Sequence, residues 1–517
     1  MTRELDLRAK VSEANDRRKR SVGASLSCCY ITRFAKRLRR EAGITHGSIR
    51  CQSTIPPEDR LTIRGTYVWL SVLATCLLLS CGSLRTEAES LRIGTFNVDA
   101  TPPIGSPVAY APARSITDPL SARGIVLLSD DEPIVLCAVD WIGIGNGAHD
   151  AWREALADAV GTSADRVAVH TLHQHDGVRC DFTTEAILEE QGIAGKSFNR
   201  EFDEQVIART AQAVRQAVET SRPVTHMGVG RAKVDKVASN RRILGADGKV
   251  KIVRYSSSRN PEAIAAPEGV IDPYLRLLSF WNDETPIASL TYYATHPQSY
   301  YGDGDVTAEF PGIARATREQ ELPGVAHIHF NGAGGNVAAG KYNDGSPERR
   351  PILAQRMAEA MRSAWQSVQK TGVEAKDLEW RVQPVALPPA SYMVPADLRK
   401  IVEDTSREHR DRRSAASHLA WSRRCQEGRQ IDVTALRLGD VYVLHMPGEL
   451  FVEYQLAAQA MKPGKTVFMA AYGDYGPGYI GTEVSYGQGG YETSARASRV
   501  APEVESVLME AMRIVLK

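Results

Sequence analysis

The fold is decided by residues 124–171, whose sequence is GIVLLSDDEPIVLCAVDWIGIGNGAHDAWREALADAVGTSADRVAVHT. Its two opening runs, 124–129 and 133–142, are rich in Val, Ile and Leu and have the length of buried strands. Apolar residues then recur at helical spacing over 148–160, and a β-branched run follows at 166–171. Strands, a helix and a further strand in this order predict a β-α-β unit.

The same alternation continues toward the C-terminus. Further buried strands are predicted at 275–281, 287–295, 325–330, 441–446 and 466–472, and helices near 201–219, 309–321, 347–370, 450–461 and 501–515. Segments 224–255 and 378–388 are expected to be peripheral antiparallel strands, and the Arg- and Glu-rich segment 403–429 a solvated helix. The pattern predicts an α/β fold with a mixed β-sheet core flanked by helices. Because no fixed-period repeat is visible, residues 93–517 are expected to form a single large domain.

The charge of the chain is balanced overall but uneven along its length. Its 517 residues include 63 Lys and Arg and 62 Asp and Glu, a formal net charge of +1. Residues 1–60 hold 14 of the basic residues and 7 of the acidic ones, so the basic excess belongs to the N-terminal segment. Without a global positive field, the protein is not expected to bind nucleic acid. The average hydrophobic content of 43% and charged content of 24% indicate a globular chain.

The N-terminal segment is predicted to contain an export signal. An apolar run at 67–80 follows a basic flank and is shorter than the roughly 20 residues that span a bilayer. It ends in Leu-Leu-Ser-Cys81-Gly, which resembles a bacterial lipoprotein signal, whose cysteine is lipidated. We therefore expect a signal peptide over 60–81, a linker over 82–92, and export to the cell envelope, periplasm or exterior, with membrane attachment through Cys81. Residues 1–59 are either a basic, poorly ordered arm or an extension from a misplaced start.

Three cysteines follow the signal: Cys137, Cys180 and Cys425. No Cys-x-x-Cys pair is present, so neither a disulfide framework nor a thiolate metal site is predicted. One bridge, between Cys180 and Cys425, is compatible with an oxidising compartment, and free buried thiols are the simpler expectation.

Four predicted strands lead into polar segments suited to binding a metal. These segments are His170–Asp176, Tyr292–Pro297, His445–Glu449 and Tyr472–Tyr479. In α/β sheets ligands bind beyond the carboxyl ends of the strands, so these side chains are expected to meet. Imidazoles and a carboxylate with one position left open are what catalytic zinc requires, although this donor set accepts other divalent ions.

Together with other motifs along residues 93–500, these segments resemble the neutral (non-lysosomal) ceramidases, zinc amidases that cleave N-acyl-sphingosine into a fatty acid and sphingosine. Residues 94–103 are similar to the family's G-x-x-x-x-D-x-T-x-P motif, and His173-Gln-His175-Asp176-Gly177 to its H-T-H-S-G loop. Pro447-Gly448-Glu449 matches its glutamate ligand, and Tyr479 and Tyr491 keep the twelve-residue spacing of its two tyrosines. The resemblance implies the N-terminal zinc-amidase catalytic domain of that family.

The resemblance also implies a role for each residue of the site. Zinc would be bound by four side chains, those of His173, His296, Glu449 and Tyr479. Three further residues would act on the substrate. His175 is the candidate that would protonate the leaving amine. Either Tyr491 or His175 would polarise the carbonyl oxygen, and Arg241, in an Asn240-Arg241 pair, would hold the acyl carbonyl or the product carboxylate.

One loop departs from the family pattern. The family's G-D-V-S-P loop, whose serine lies in the active site, aligns with Gly335–Gly340, where Asn336 replaces the aspartate and Ala338 the serine. A metal-dependent mechanism survives this loss, whereas a serine nucleophile does not. The run Gly335-x-x-x-x-Gly340-Lys341 also matches most of a phosphate-binding P-loop, but Tyr342 stands where Ser or Thr would bind magnesium. We therefore expect a glycine-rich turn close to the site and no nucleotide.

Other polar residues are interpreted as structural. Asp305 and Glu309 are expected to cap and charge the start of a helix. His327 and His329 alternate on a strand and are expected in the core or on a sheet surface. For Asp176 two roles stay open, the orientation of a histidine and the capping of a loop.

Three functions follow from these patterns. The first is a zinc-dependent amidase acting on a lipid-like N-acyl amine such as ceramide. The second is a zinc hydrolase of a different ester or amide, and the third is a non-catalytic lipoprotein that keeps the fold as a binding module. Because all four implied ligands are present, catalysis is favoured over binding alone.

Overall fold

Three mixed β-sheets form the framework of residues 90–517, which are the residues that this computed structural model describes. The predicted leader, the signal peptide with Cys81, and residues 82–89 of the linker lie outside the described residues.

The N-terminal third of the described chain contains the first sheet and three short strands that pair outside it. In chain order its elements are β1 (Arg92–Asp99), β2 (Ser115–Ile116), β3 (Ser121–Leu128), β4 (Ile134–Val139), β5 (Gly143–Ile144), α1 (Asn146–Val160), β6 (Val167–Thr171), β7 (Arg179–Cys180), α2 (Phe182–Glu189), α3 (Arg200–Glu219) and β8 (Arg222–Pro223). The strand order is β6-β4-β3-β1-β8, antiparallel except for the parallel pair of β4 and β6.

The middle third of the described chain contains the second sheet and several short strands that pair outside it. Its elements are β9 (His226–Lys233), β10 (Ser239–Asn240), β11 (Arg242–Leu244), β12 (Val250–Val253), α4 (Pro261–Ala265), β13 (Tyr274–Asn282), β14 (Thr285–Tyr293), β15 (Asp305–Val306), α5 (Glu309–Glu321), β16 (Ala326–Asn331), β17 (Val337–Ala338), α6 (Arg349–Gln366) and β18 (Gln369–Gly372). The order is β16-β14-β13-β9-β18, and only β14 and β16 run parallel.

The last third of the described chain contains the third sheet and two short strands that pair with each other outside it. Its elements are β19 (Leu378–Val385), α7 (Pro395–Glu403), α8 (His409–Gln426), β20 (Ile431–Leu438), β21 (Val441–His445), β22 (Glu449–Leu450), α9 (Val452–Met461), β23 (Thr466–Ala470), β24 (Tyr479–Ile480), α10 (Glu483–Gln488) and α11 (Val504–Val515). The order is β19-β20-β21-β23, with β21 and β23 parallel. Short 3₁₀ turns lie at Ala164–Arg166, Ala194–Lys196 and Ala375–Asp377.

One connection is repeated in all three sheets. A hairpin is followed by a helix and then by a strand parallel to the second hairpin strand, as β3-β4-α1-β6, β13-β14-α5-β16 and β20-β21-α9-β23. A later helix then packs on the first strand of the same sheet, α3 on β1, α6 on β9 and α11 on β19. The repeat exists in the structure although the sequence shows no period.

The hydrophobic core explains why the central strands are apolar along their whole length. One cluster at the centre receives side chains from all three sheets, among them Ile125, Leu290 and Val443. Three outer clusters lie between each sheet and its own helices. Each sheet is therefore buried on both faces, and its strands read as continuous hydrophobic runs rather than as alternating ones.

The α/β fold with mixed sheets flanked by helices is confirmed, with the predicted strands divided among three sheets. The prediction of a solvated helix over 403–429 is wrong. Helix α8 buries Ala416, Leu419 and Trp421 in the outer core of the third sheet, because small residues give it an apolar face between its arginines.

Two further findings concern cysteines and helix length. The three cysteines of the described chain, Cys137, Cys180 and Cys425, are free, so the Cys180–Cys425 bridge does not form. Within residues 90–517 we find no helix that combines the length and the apolar character needed to cross a membrane.

Candidate metal centre

The carboxyl ends of the parallel strand pairs meet at one place. The loop after β6 is joined to the loop after β23, because the Thr171 amide donates to the carbonyl of Tyr472 over 2.9 Å. The Ala471 amide in turn donates to the carbonyl of Asn331, at the end of β16, over 2.9 Å. The four polar segments predicted from the sequence are thereby brought together.

His173 and His296 each present one unprotonated nitrogen to the same point. Nδ1 of His173 lies 2.6 Å from the carbonyl oxygen of Ile142, and Nδ1 of His296 lies 2.9 Å from that of Gly334. A carbonyl oxygen can only accept, so each Nδ1 carries the proton, and burial further lowers the pKa of His296. Both Nε2 atoms therefore offer a lone pair.

Glu449 adds a carboxylate oxygen to these two nitrogens. Its Oε2 lies 3.1 Å from Nε2 of His173 and 3.1 Å from Nε2 of His296, and it accepts no hydrogen bond from any described residue. Its Oε1 accepts a hydrogen bond from the hydroxyl of Tyr475 over 2.6 Å. Lone pairs that face one another in a buried site are stabilised by a cation between them, and nitrogen and carboxylate donors suit zinc.

Tyr479 and Arg241 form one wall of the site. The Tyr479 hydroxyl lies 3.1 Å from Nε2 of His296 and accepts a hydrogen bond from Nη1 of Arg241 over 3.0 Å. Burial raises the pKa of Tyr479 well above its ordinary value, although Arg241 opposes this. Arg241 is itself held by Glu492, whose Oε1 is 3.0 Å from its Nε.

His175 differs from the other two histidines in what faces its Nδ1. That nitrogen lies 3.1 Å from the hydroxyl of Tyr110, which can donate or accept, so either tautomer is satisfied. Its Nε2 lies 3.2 Å from Nε2 of His173. The ligand nitrogens of His173, His175 and His296 all lie within 4.8 Å of one another, so His175 is near enough to join a metal shell. Only in His173 and His296, however, does a backbone carbonyl bind Nδ1 and so leave Nε2 as the nitrogen available to a metal.

The backbone at the site adopts conformations that side chains disfavour. His173 has φ 62° and Tyr472 has φ 61°, both in the left-handed region. The two rings stack with centroids 4.8 Å apart. Backbone strain of this kind is held in place by surrounding contacts and is concentrated at functional sites.

The glycine-rich loop after β16 supports the site with its backbone. A Cβ on Gly335 would lie 2.2 Å from the carbonyl oxygen of Glu449, so only glycine permits this approach. The Asn336 side chain accepts from the Val452 amide over 2.9 Å at the start of α9. Lys341 donates to the carbonyls of Ile264 and Ala266, away from the site. The loop is a supporting turn, and Ala338 is buried in the short strand β17.

The remaining polar residues have structural contacts. Both oxygens of Asp176 accept from the Gly302 amide, at 2.9 and 3.0 Å, so Asp176 caps that loop and its contacts do not include a histidine. Asp305 pairs with Arg114 over 2.7 Å. Glu309 is fully buried against Arg350, 3.0 Å away, and so is not an exposed first-turn charge. His327 and His329 are buried on β16.

Four residues of the site were not predicted to act there: Tyr110, Tyr472, Tyr475 and Glu492. Tyr475 stands in the predicted Tyr472–Tyr479 segment, and its hydroxyl on Glu449 is the contact that the spacing alone did not assign. Tyr110 comes from an irregular loop, and no pattern in the sequence connects that loop to His175. The second residue of the Asn240-Arg241 pair reaches the site, whereas the Asn240 amide donates to the carbonyl of Val270.

Two cavities open beside the candidate metal-binding side chains. One, of about 380 Å³, is lined by His173, His175, Glu449 and Tyr479 together with several arginines. The other, of about 460 Å³, is lined by His175, His296 and Arg241 together with tyrosines and serines. Tyr491 lines both, and its ring lies 5.7 Å from that of Tyr479.

Comparison with known proteins finds likeness in structure rather than in sequence. No protein-family model and no curated protein sequence matches the chain. A solved structure of a ceramidase complexed with C2 is similar with a TM-score of 0.62 and 15% identity, over 82% of this chain and 74% of that one. The neutral ceramidase from Pseudomonas aeruginosa is similar with a TM-score of 0.61 and 15% identity, over 82% of this chain and 73% of that one.

Proposed function

Since this chain has the neutral ceramidase fold, we propose that it is a zinc-dependent hydrolase that cleaves the amide bond of an N-acyl amine. One observation carries the proposal. The Nε2 atoms of His173 and His296 and the Oε2 of Glu449 converge in a buried site, and each histidine directs its Nδ1 to a backbone carbonyl. A binding module without a metal would leave these atoms uncompensated.

His173, His296 and Glu449 would hold the zinc, with the Tyr479 hydroxyl as the fourth ligand. Bound there, zinc would act as a Lewis acid on the amide carbonyl and lower the pKa of a water molecule. Tyr475 keeps the carboxylate of Glu449 oriented through the hydrogen bond to its Oε1.

His175 is the residue that would move the proton. Burial and the neighbouring His173 and His296 hold its pKa well below the ordinary value, so it is neutral and can accept a proton from the attacking water. The bond between the carbonyl carbon and nitrogen then breaks, and the same proton passes to the leaving amine. Tyr110 supports either tautomer of His175 during this exchange.

Arg241 and Tyr491 would bind the acyl part. Arg241 lines the tyrosine-rich cavity beside His296, where its guanidinium can hold the acyl carbonyl or the product carboxylate. Tyr491 lines both cavities and can donate a hydrogen bond to the carbonyl oxygen. No serine is needed in this scheme, which agrees with Ala338 in the loop.

Three further points belong to the proposal. The protein is exported through the signal at 60–81 and attached to a membrane through a lipidated Cys81. Residues 93–517 act as the catalytic domain. The substrate is a lipid-like N-acyl amine, for which ceramide is the first compound to test.

The proposal is tested by acyl release from a panel of substrates. The zinc-loaded full-length protein would be incubated with a short-chain N-acyl-sphingosine, an N-acyl amino acid and a matching ester, beside His173→Ala and His226→Ala variants. His226 begins β9, at the opposite end of the second sheet from the strand ends that form the candidate metal centre. We expect acyl release that is lost in His173→Ala and kept in His226→Ala. A protein that binds one zinc per chain and hydrolyses none of the substrates would overturn the proposal.

A further inference from the structure

The cavity of about 380 Å³ beside the candidate metal centre carries an unusual concentration of positive charge. The arginines that line it are Arg179, Arg410, Arg413, Arg496 and Arg499. The same cavity reaches His173, His175 and Glu449, so the arginines face the place where the scissile bond would lie. Asp411 and Glu449 are the acidic residues of this lining.

These positive charges are poorly compensated by the protein. Among the described residues, the side chain of Arg179 finds no hydrogen-bond acceptor and no ion-pair partner, and its Nε is buried. Arg413 donates once, to the carbonyl of Ala109 at 3.4 Å. Arg499 contacts the carbonyls of Tyr475 and Gly476 and the hydroxyl of Ser417, and carbonyls do not neutralise its charge. Asp411 is exposed and pairs at 3.9 Å with Arg410.

The arginines also repel one another. The charge of Arg179, together with burial, lowers the pKa of Arg413 to about 9. An arginine is otherwise charged under all ordinary conditions. If the apolar chain of a substrate covered these guanidinium groups, burying them unpaired would cost free energy, because buried charges require partners. An anion between Arg179 and Arg413 would satisfy their donors and remove the repulsion.

The second cavity completes the shape of the substrate site. It has a volume of about 460 Å³ and presents Tyr255, Tyr300 and Tyr301 with several serines. The two cavities share Tyr110, His175, Tyr479, Tyr491 and Arg496, so they meet beside the candidate metal centre. A substrate cleaved there would place one of its halves in each cavity.

We propose that the substrate is an acidic N-acyl compound whose anionic group, a carboxylate, phosphate or sulfate, is bound by Arg179 and Arg413 next to the metal centre. This inference rests on the proposed function and narrows its substrate from a neutral lipid amide to a charged one. Because Arg241 would hold the acyl carbonyl in the second cavity, the anion is expected on the amine side of the scissile amide, and a probe with its anion on the acyl side tests the opposite orientation.

The test uses two pairs of probes, each consisting of an acid and a neutral partner of similar size. N-hexanoylglycine and N-hexanoylglycinamide place a carboxylate or a neutral amide on the amine side, and the monoamide of glutaric acid and pentanamide place a carboxylate or a methyl group on the acyl side. Binding would be measured by calorimetry and turnover by acyl release, with the zinc-loaded full-length protein. The variants are Arg179→Gln, Arg413→Gln, Arg413→Lys and, as a control, Arg423→Gln, which lies on the same helix α8 as Arg413 but outside the cavity lining.

We expect one acid probe to bind about 10- to 100-fold more tightly than its neutral partner, the range that a hydrogen-bonded charge pair provides. Arg179→Gln and Arg413→Gln should remove that difference, Arg413→Lys should restore part of it, and Arg423→Gln should leave it unchanged. Equal binding of acid and neutral probes, or the same preference in all variants, would overturn the inference. Thermal unfolding would establish that each variant is folded.

The two proposals fail in different ways. Binding of an acid probe that depends on Arg179 and Arg413, without any hydrolysis, would support the anion site and overturn the hydrolase. Hydrolysis of the neutral probes that is indifferent to both arginines would support the hydrolase and overturn the anion site.

Discussion

Three histidines lie side by side at the site, and the atom opposite each Nδ1 separates their roles. The carbonyl oxygens of Ile142 and Gly334 hold Nδ1 of His173 and His296 and leave each Nε2 available to a metal, whereas the Tyr110 hydroxyl leaves His175 free to change tautomer. A ligand whose other nitrogen is fixed is typical of metal sites, and a histidine that can exchange its proton is typical of acid–base catalysis.

His173→Ala and His175→Ala should therefore differ in metal content. Loss of a direct ligand should weaken metal affinity by at least about 100-fold, since even the residues behind a ligand contribute 10- to 100-fold. His175→Ala should retain the metal and lose turnover by roughly 100-fold or more, the contribution of a general acid–base residue. Elemental analysis after dialysis, with His226→Ala as the control, measures the first, and acyl release measures the second.

The opposite pattern, with metal lost from His175→Ala and kept by His173→Ala, would show that His175 is a ligand. The three ligand nitrogens lie close enough for either arrangement, so this experiment decides between them.

Individual residues of the site were predictable where they follow the end of a predicted strand. His173, His296, Glu449 and Tyr479 follow apolar strands, and the structure brings all four together. Tyr110 and Glu492 were missed because their contribution depends on tertiary contacts with His175 and Arg241, which no local pattern encodes. The arginines that line the cavity of about 380 Å³ were missed for the same reason.

Among the elements, the turn after β16 shows how backbone packing supports the site. The carbonyl of Glu449 leaves no space for a side chain at Gly335, where a Cβ would lie 2.2 Å away. Gly335→Ala must therefore displace either the turn or Glu449. A displacement of about 1 Å at a catalytic group can cost 100-fold in rate.

We expect Gly335→Ala to lower both metal affinity and turnover, the latter by about 100-fold. Gly195→Ala is the matched control, because a Cβ on Gly195 would meet no atom within 4 Å. Metal titration and acyl release check the two effects. Wild-type values for both in Gly335→Ala would show that the turn does not position Glu449.

Helix α2 carries a buried acid, Glu185, that should make stability depend on pH. Burial raises the pKa of Glu185 to about 7, from about 4.5 for an exposed glutamate, although Arg200 lies 3.6 Å away. Burial also raises the pKa of its neighbour Asp203 well above the ordinary value. Between pH 4.5 and 7 the folded protein keeps a proton that the unfolded chain has released, so stability falls as pH rises through this range.

Glu185→Gln should remove this contribution. Its thermal midpoint should exceed that of the wild type by about 2 °C at pH 8.5 and should equal it near pH 4, where the carboxyl is protonated in both states. Glu219→Gln, at the exposed C-terminal end of α3 and away from Arg200, is the control. A Glu185→Gln midpoint that matches the wild type at both pH values would contradict the shifted pKa.

Helix α8 shows why an arginine-rich segment can be misread. Its charge density is typical of a solvated helix, yet Ala416, Leu419 and Trp421 are buried and Arg413 lines the cavity beside the metal-binding side chains. Charge density indicates exposure only when the charges have no partner, and here the proposed partner is a substrate. The strands, by contrast, were predictable because burial on both faces leaves a continuous apolar run.

At the scale of the whole molecule, three copies of one connection surround a shared core. The sequence shows no period because the core requires apolar residues of suitable volume rather than particular ones. The parallel pairs of the three sheets direct their carboxyl ends to one place. His173 comes from the first third of the chain, His296 from the second, and Glu449 and Tyr479 from the third, so the metal centre would join all three.

The measurement that tests this account most directly is anomalous X-ray diffraction at the zinc edge from crystals of the full-length protein grown with zinc. We expect one strong peak within about 2.3 Å of Nε2 of His173, Nε2 of His296 and an oxygen of Glu449. The same experiment on His173→Ala should show the peak weakened or lost. A wild-type crystal that contains zinc elsewhere and no peak between these three side chains would contradict the metal centre and the hydrolase built on it.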